Sequence, residues 1–343
     1  MNPYALSIML SSLAIGTTIT LSSHHWILAW MGLEINTLAI IPLMSNPHHP
    51  RSTEATTKYF LTQATASTLI LFSTLINAWY TGEWEIKETL PLPTNILTIA
   101  LAMKLGLAPM HFWLPEVLQG LDLMTGLILA TWQKIAPMSL IIIMYSSLNP
   151  YILTLIGIIS TLTGGWGGLN QTQLRKVMAF SSIAHLGWMM IILPYSPQLT
   201  LLNFMIYLTM TSSMFLMMKL MNTTKMSSLT ISWSKMPIMT ALSTTILLSL
   251  GGLPPMTGFI PKWLILHELT KQYMMTIAAM MAFSALLSLF FYLRLTYSLS
   301  LTQSPNTVNS LFTWHKKPTQ YVIVLSLTTI LSIMMLPLTP TMM

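Results

Sequence analysis

The chain has no cysteine. That excludes disulfides, thiol catalysis and iron–sulfur clusters held by this chain's own thiolates. Charge is nearly as scarce, at 7% of 343 residues, where soluble domains carry roughly 25%. Acids are rarest: eight in all, with Asp122 the single aspartate. No Gly-x-Ser-x-Gly stretch occurs, so a hydrolase triad has no footing. Gly164-Gly165-Trp166-Gly167-Gly168 is glycine-rich, but Asn170 stands where a dinucleotide fingerprint needs its last glycine. Small-xxx-small helix packing explains Gly164 and Gly168 better.

Apolar sequence fills the space that charge leaves. Hydrophobic residues make up 53% of the chain, and runs near 20 residues recur from end to end. Each is long enough to cross a hydrocarbon core of roughly 30 Å. The expected fold class is all-α and polytopic, with about eleven transmembrane helices. The spans read as 3–21, 25–44, 57–80, 94–119, 123–146, 150–169, 176–193, 198–220, 238–268, 274–299 and 320–338. The amino terminus has no charged n-region and no small-residue cleavage site, so the first span is expected to stay in place.

The net charge of +7 does not point to nucleic acid, because no basic-aromatic patch accompanies it. The basic residues fall on one side instead. Arg51, Lys58, Arg175, Lys176, Lys225, Lys235, Lys316 and Lys317 share one set of loops. Glu83, Glu85, Lys87 and Glu88 lie in the opposite set, with Lys271. The charge rule puts the basic loops and the amino terminus on the side of synthesis, and the carboxyl terminus on the other. The loop with Glu116 and Asp122 is acidic yet falls on the basic side.

One local pattern occurs twice. Gly106-Leu107-Ala108-Pro109-Met110 matches Gly252-Leu253-Pro254-Pro255-Met256, and a second proline follows at the same offset, Pro115 and Pro261. The breaks fall in spans four and nine. Residues 1–146 and 147–300 then form two five-helix repeats, and an odd helix number inverts the second. Residues 301–343 add a loop and a carboxy-terminal helix. Inverted repeats with matching broken helices point to a transport site near the midplane. Pro109 and Pro255 lack an N–H, so each break is expected to free backbone carbonyls beside protein or water.

Four charges sit at membrane depth: Glu34 in span two, Lys104 in span four, Lys134 in span five and Lys262 after the second break. Each costs roughly 2.5–3.5 kcal/mol at a helix centre, a cost that persists where the groups pair or line a hydrated cavity. Structural ion pairs are the plain reading. Proton transfer is the sharper one, because a lysine held charged by a carboxylate releases its proton once that carboxylate withdraws. Glu34 and Lys104 are expected to form such a pair, with Lys134 and Lys262 continuing the path. His185, mid-span, and His111, after the first break, are candidate carriers, though each could equally be a satisfied core histidine. No two histidines sit at matched depth as haem ligands would. No metal site is expected. Lys58 and Lys219 lie near helix ends and read as snorkelling.

Particular stretches carry a family resemblance. Trp30-Met31-Gly32-Leu33-Glu34, Lys58-Tyr59-Phe60-Leu61, the Lys104 break and Thr131-Trp132-Gln133-Lys134 resemble the antiporter-like membrane subunits of respiratory complex I. Gly168-Leu169-Asn170-Gln171-Thr172-Gln173-Leu174-Arg175-Lys176, Ala179–Trp188 and Gly251–Pro255 with Lys262-Trp263 extend the likeness over nearly the whole chain. Gln63 stands where bacterial members carry glycine. The resemblance implies a proton-translocating subunit of NADH:ubiquinone reductase, with Glu34 and Lys104 as acid–lysine pair, Lys134 as central lysine and Lys262 toward the exit. His111 and His185 match the broken-helix and hydrophilic-axis positions. NADH, flavin, iron–sulfur clusters and ubiquinone would then belong to other subunits, with no cofactor in this chain. Partners would be membrane-arm subunits, chains 4 and 4L among them, and lipids. The location implied is the mitochondrial inner membrane, with the amino terminus in the matrix and the carboxyl terminus in the intermembrane space. Longer members have fourteen spans, and this chain reads as lacking the first three. An independent cation/proton antiporter and a non-conducting scaffold remain the alternatives.

Overall fold

The computed structural model describes residues 2–46, 48–301 and 322–338. His315, Lys316 and Lys317 lie outside the described residues. Fifteen α-helices are described: α1 (Pro3–Ser22), α2 (Trp26–Met44), α3 (Pro50–Thr81), α4 (Pro91–Leu105), α5 (Trp113–Gly120), α6 (Leu123–Ala130), α7 (Trp132–Ile143), α8 (Pro150–Gly168), α9 (Leu174–Ile192), α10 (Pro197–Met221), α11 (Met226–Lys235), α12 (Pro237–Gly251), α13 (Phe259–Lys271), α14 (Met275–Leu301) and α15 (Val322–Met334). Six of them begin on a proline, whose missing N–H is one of the unpaired donors of a first turn in any case. By length and composition, seven stretches among the described residues can each cross a membrane. The all-helical, membrane-embedded class expected from the sequence is the one observed.

Many hydroxyl groups inside these helices are satisfied locally, as a medium without water demands. Serine and threonine hydroxyls turn back onto carbonyls one turn earlier, for example Thr17 on Ala14 at 2.9 Å and Thr20 on Thr17 at 2.8 Å. His25 and His49 are helix caps: the Nδ1 of each accepts from an amide two residues on, Ile27 at 3.3 Å and Arg51 at 3.2 Å.

The chain forms two compact units. The first is Met1–Ser160 with Leu193–Pro197, and the second is Thr161–Ile192 with Gln198–Met343. In the first unit α1 packs on α2, α3 packs on α4 and α5, and α7 packs against α1, α2 and α4. The α1–α2 crossing is backbone-close: a Cβ on Gly16 would lie 2.4 Å from Asn36 Oδ1 and 3.0 Å from the Gly32 carbonyl. The loop after α3 clasps the α1–α2 turn, with Trp26 N donating to Trp84 O (3.0 Å) and Ile86 N to His24 O (3.2 Å). In the second unit α12 packs on α14 and α15, and α13 and α14 both pack on α9. Gly164 brings α8 against α9, its Cβ position 2.7 Å from the Ala184 amide, which bears out the packing reading.

Three expectations need correction. α3 starts at Pro50 rather than 57, because a polar first segment, capped by His49 and Ser52, is helical without being apolar. A helix, α11, occupies part of a presumed loop. Span five is interrupted at Thr131 (φ −115°, ψ −69°), three residues before Lys134. Pro137, which cannot donate to the Gln133 carbonyl, lies inside the helix that resumes after the break.

Candidate functional site

The breaks in spans four and nine form at the expected places but by a different means. α4 ends on Gly106 at φ 77° and α12 on Gly252 at φ 79°. The left-handed glycine, not the proline three residues later, stops each helix. Gly106 N bonds Met103 O (3.1 Å) and Leu107 N bonds Ala102 O (2.9 Å). Gly252 N bonds Ser249 O (3.0 Å) and Leu253 N bonds Leu248 O (3.4 Å), the same pattern 146 positions on. These are Schellman ends, so the carbonyls expected to be free are largely satisfied.

Each end is then closed by a side chain from beyond the break, and the two closures differ. Trp113 Nε1 donates to Met103 O at 3.2 Å. Lys262 Nζ donates to Gly251 O at 2.9 Å. One cap is neutral and one is cationic. Glu116, which aligns with Lys262, faces outward and meets Lys58 Nζ at 2.7 Å. Lys58 also holds Glu54, at 2.6 Å. It is therefore a bridging residue rather than a snorkelling one, and it neutralises the acid that looked misplaced on the basic side.

In the first unit, a cavity of about 20 Å³ lies between α2, α3, α4 and α7. Lys104 and Lys134 both line it, together with Asn36, Tyr59, Gln63 and Gln133. Lys104 is 6% exposed and Lys134 3%. The Lys104 ammonium has no hydrogen-bond partner, nor do both polar atoms of Asn36, Gln63 Nε2 and Glu34 Oε2. Several buried polar groups without protein partners around a space that admits a water molecule make a hydration site. Lys104 occupies the last turn of α4, where the negative end of the helix dipole favours a cation.

Glu34 is half-buried on α2, one residue from the cavity wall. Its charge acts on Lys104 and Tyr59 without touching Lys104. The direct acid–lysine contact expected from the sequence is thus not made; α2 directs Leu33, Asn36 and Thr37 at the cavity and holds Glu34 beside it. His111 stands apart, in the turn after Gly106, buried with its Nδ1 unpaired and its ring against Phe112 at 4.3 Å. It does not line the cavity.

In the second unit, His185 is 6% exposed on α9, its ring 5.8 Å from that of Tyr207 on α10. Lys262 is half-buried in the first turn of α13. Among the described residues no three His, Asp or Glu side chains converge as metal ligands.

Sequence reasoning passed over Asn36, Tyr59 and Gln133 as site residues and took Gln63 for a packing variation. The signals were present. Tyr59 and Gln63 are four apart on one face of α3, and Gln133 adjoins Lys134. An amide in an apolar span needs a partner as much as a charge does.

A family model described as NADH:quinone oxidoreductase/Mrp antiporter, transmembrane, matches residues 23–288. A second, described as the NADH dehydrogenase subunit 2 C-terminus, matches residues 289–343. The chain is 61% identical to NADH-ubiquinone oxidoreductase chain 2 of Carassius auratus, over 99% of this chain and 98% of the relative. It is 62% identical to the Xenopus laevis protein of the same name, over 99% of both. Among solved structures, a chain of respiratory complex I from Thermus thermophilus has the same fold, with a TM-score of 0.85 and 24% identity over 98% of this chain and 80% of that one.

Proposed function

Since the chain belongs to the NADH:quinone oxidoreductase/Mrp antiporter transmembrane family, within it to the NADH-ubiquinone oxidoreductase chain 2 proteins of complex I, we propose that Lys104 and Lys134 carry protons through its first unit across the buried hydration site between them. The observation that carries this reading is an ammonium, 6% exposed and without a partner, on the wall of a cavity that admits water. Holding it there costs roughly 2.5–3.5 kcal/mol. A purely structural lysine would recover that cost through an ion pair, and Lys104 makes none.

The transfer needs no bond other than N–H and O–H. Lys104 gives a proton to the cavity water as that water passes one of its own to neutral Lys134. Lys104 then regains a proton from the Glu34 side. Glu34 acts at a distance, its charge reaching Lys104 without a contact. Asn36, Gln63 and Gln133 hold the water and fix its orientation. His185 and Lys262 serve the same path in the second unit, and His111 serves it at the first break.

Moving one charge against the membrane potential costs about 2.3 kcal/mol per 100 mV. Redox chemistry on NADH, flavin, iron–sulfur clusters and ubiquinone in other subunits supplies that drive, reaching this chain through membrane-arm neighbours such as chains 4 and 4L. On this reading the chain makes eleven membrane passes, as two inverted repeats and a final helix, and the charge rule puts the basic loops and amino terminus in the mitochondrial matrix and the carboxyl terminus across the inner membrane. The similar Schellman breaks 146 residues apart support the repeat.

The test is Lys104→Met in the assembled complex, reconstituted in vesicles. Electron transfer should continue with a lower proton-to-electron ratio. A wild-type ratio would sink the reading in favour of a scaffold, and cation flux by the purified chain alone would favour an independent antiporter.

A further inference from the structure

The break between α12 and α13 is built of short turns. Met256 N bonds Leu253 O at 2.9 Å, and Phe259 N bonds Met256 O at 3.2 Å. Isolated turns open more readily than a helical ladder, so contacts from outside decide how firmly this stretch is held. Two are present. Gly258 lies so close to α12 that a Cβ there would overlap the Ser249 carbonyl. One residue earlier, Thr257 Oγ1 donates to the main-chain carbonyl of Ser332 on α15. Thr257 and Ser332 are both 0% exposed.

The bond serves α15 as well. That helix has 13 residues. At 1.5 Å per residue it is about 20 Å long, short of a hydrocarbon core of roughly 30 Å. A helix leaves its last four carbonyls without a donor of its own, and Ser332 carries one of them. Away from water such a carbonyl needs a partner. Thr257 offers a hydroxyl on a stiff, branched stem. The first break is tied differently. The residue 146 positions before Thr257 is His111, whose ring lies on Phe112 and whose Nδ1 has no partner. The two breaks share the Schellman end but not the tie. α15 lies after both breaks, in the stretch matched by the subunit 2 C-terminus model.

We propose that Thr257 is a positioning residue for Lys262, tying the second break to the end of α15 so that α13 starts from a fixed place. The inference rests on the reading of Lys262 as part of the proton path. Gly258 caps α13, and Lys262 follows four residues later in its first turn. From there Lys262 Nζ reaches back across the break to Gly251 O at 2.9 Å. The place where α13 begins sets that reach. Thr257 itself carries no proton; it acts through the backbone between Gly258 and Lys262.

The test uses the assembled complex in vesicles. Thr257→Val keeps the branched shape and removes the donor, whereas Thr257→Ser keeps the donor. One buried hydrogen bond is worth roughly 2- to 13-fold in an equilibrium. Amide exchange over residues 258–262 should therefore speed up by about that factor in Thr257→Val. Its proton-to-electron ratio should fall, and Thr257→Ser should restore both readings. Should Thr257→Val fail to assemble, Thr257→Ala against Thr257→Ser makes the same comparison. On a Lys262→Met background, Thr257→Val should lower the ratio no further, because it acts through that lysine. Equal behaviour of the valine and serine variants, or an additive loss on Lys262→Met, would overturn the proposal. If Lys262→Met loses pumping while Thr257→Val keeps wild-type exchange and ratio, the tie alone is overturned and the path stands. If Lys262→Met pumps at the wild-type ratio, the reading of Lys262 fails and the positioning role with it.

Discussion

Replacing Gly252 by alanine tests whether the cationic cap of α12 is energetically real. Gly252 has φ 79°, where an L-residue costs about 1–2 kcal/mol. The new Cβ would also sit 3.0 Å from Cδ and Nζ of Lys262. The lysine is flexible and can move aside, but only by giving up its bond to Gly251 O. A hydrogen bond to a charged group contributes about 1.5–3 kcal/mol. The two terms together are about 2.5–5 kcal/mol. Gly106→Ala is the built-in control. Its φ is 77°, so the strain is the same, yet its nearest atoms are the Trp113 ring at 3.3 Å and Leu114 Cβ at 3.4 Å. There the ring that caps α4 has to give by only a few tenths of an ångström, so its bond to Met103 O should survive. The variants should differ by about 1.5–3 kcal/mol, which is roughly 10- to 150-fold in an equilibrium. Thermal inactivation of the assembled complex carrying each variant gives the comparison. Gly252→Ala placed on Lys262→Met should show a coupling of similar size, because the lysine is no longer there to displace. Equal losses at the two glycines, or additive effects in the cycle, would refute the cap.

Three further outcomes follow from contacts elsewhere. Gly16→Ala drives a Cβ to within 2.4 Å of Asn36 Oδ1 and should destabilise the α1–α2 crossing by about 1–3 kcal/mol, read as reduced assembly and earlier melting. Lys58→Met breaks bridges to Glu54 and Glu116, but Lys58 and Glu116 are 42% and 52% exposed, so the melting temperature should barely change. Glu83 is held above the usual carboxylate range by its hydrogen bond to Glu88 and by the negative charge there. A raised acid stabilises the fold at low pH and loses that contribution as pH rises through its folded value. Amide exchange in the 82–90 loop should therefore speed up above the ordinary carboxylate pKa, and Glu88→Gln should flatten the trend; superimposable profiles would contradict it.

The helical segments were legible because hydropathy and prolines mark them: Pro3, Pro150 and Pro197 each open a helix where an apolar run begins. The polar start of α3 and the short α11 were not, since neither is apolar enough to register. Lys104 and Lys134 stood out because charge is so scarce, and the cavity brings them together. The Glu34–Lys104 contact failed as an expectation because sequence gives depth along a helix and not rotation about it. Asn36 and Gln63 were hidden for another reason. Neutral polar side chains are frequent in these spans, and only burial without a partner sets a few apart. The device that ends α4 and α12 was written as Gly-Leu-x-Pro, but the proline drew attention that the glycine had earned.

The α1–α2 crossing bears on the order in which the protein is built. Every group in it, from Gly16 and Thr20 to Gly32 and Asn36, lies within the first 44 residues. Its contacts are short-range in sequence, so the loop entropy of forming them is small and they can form early. The hairpin can therefore close while the rest of the chain is still being synthesised, since completed segments fold as they emerge. The clasp from Trp84 and Ile86 arrives some forty residues afterwards and closes over a turn already made. α7, which needs α1, α2 and α4 as its walls, can dock only after that. Lys134 is thus the later of the two cavity lysines to be delivered, into a site whose α2, α3 and α4 walls are already standing.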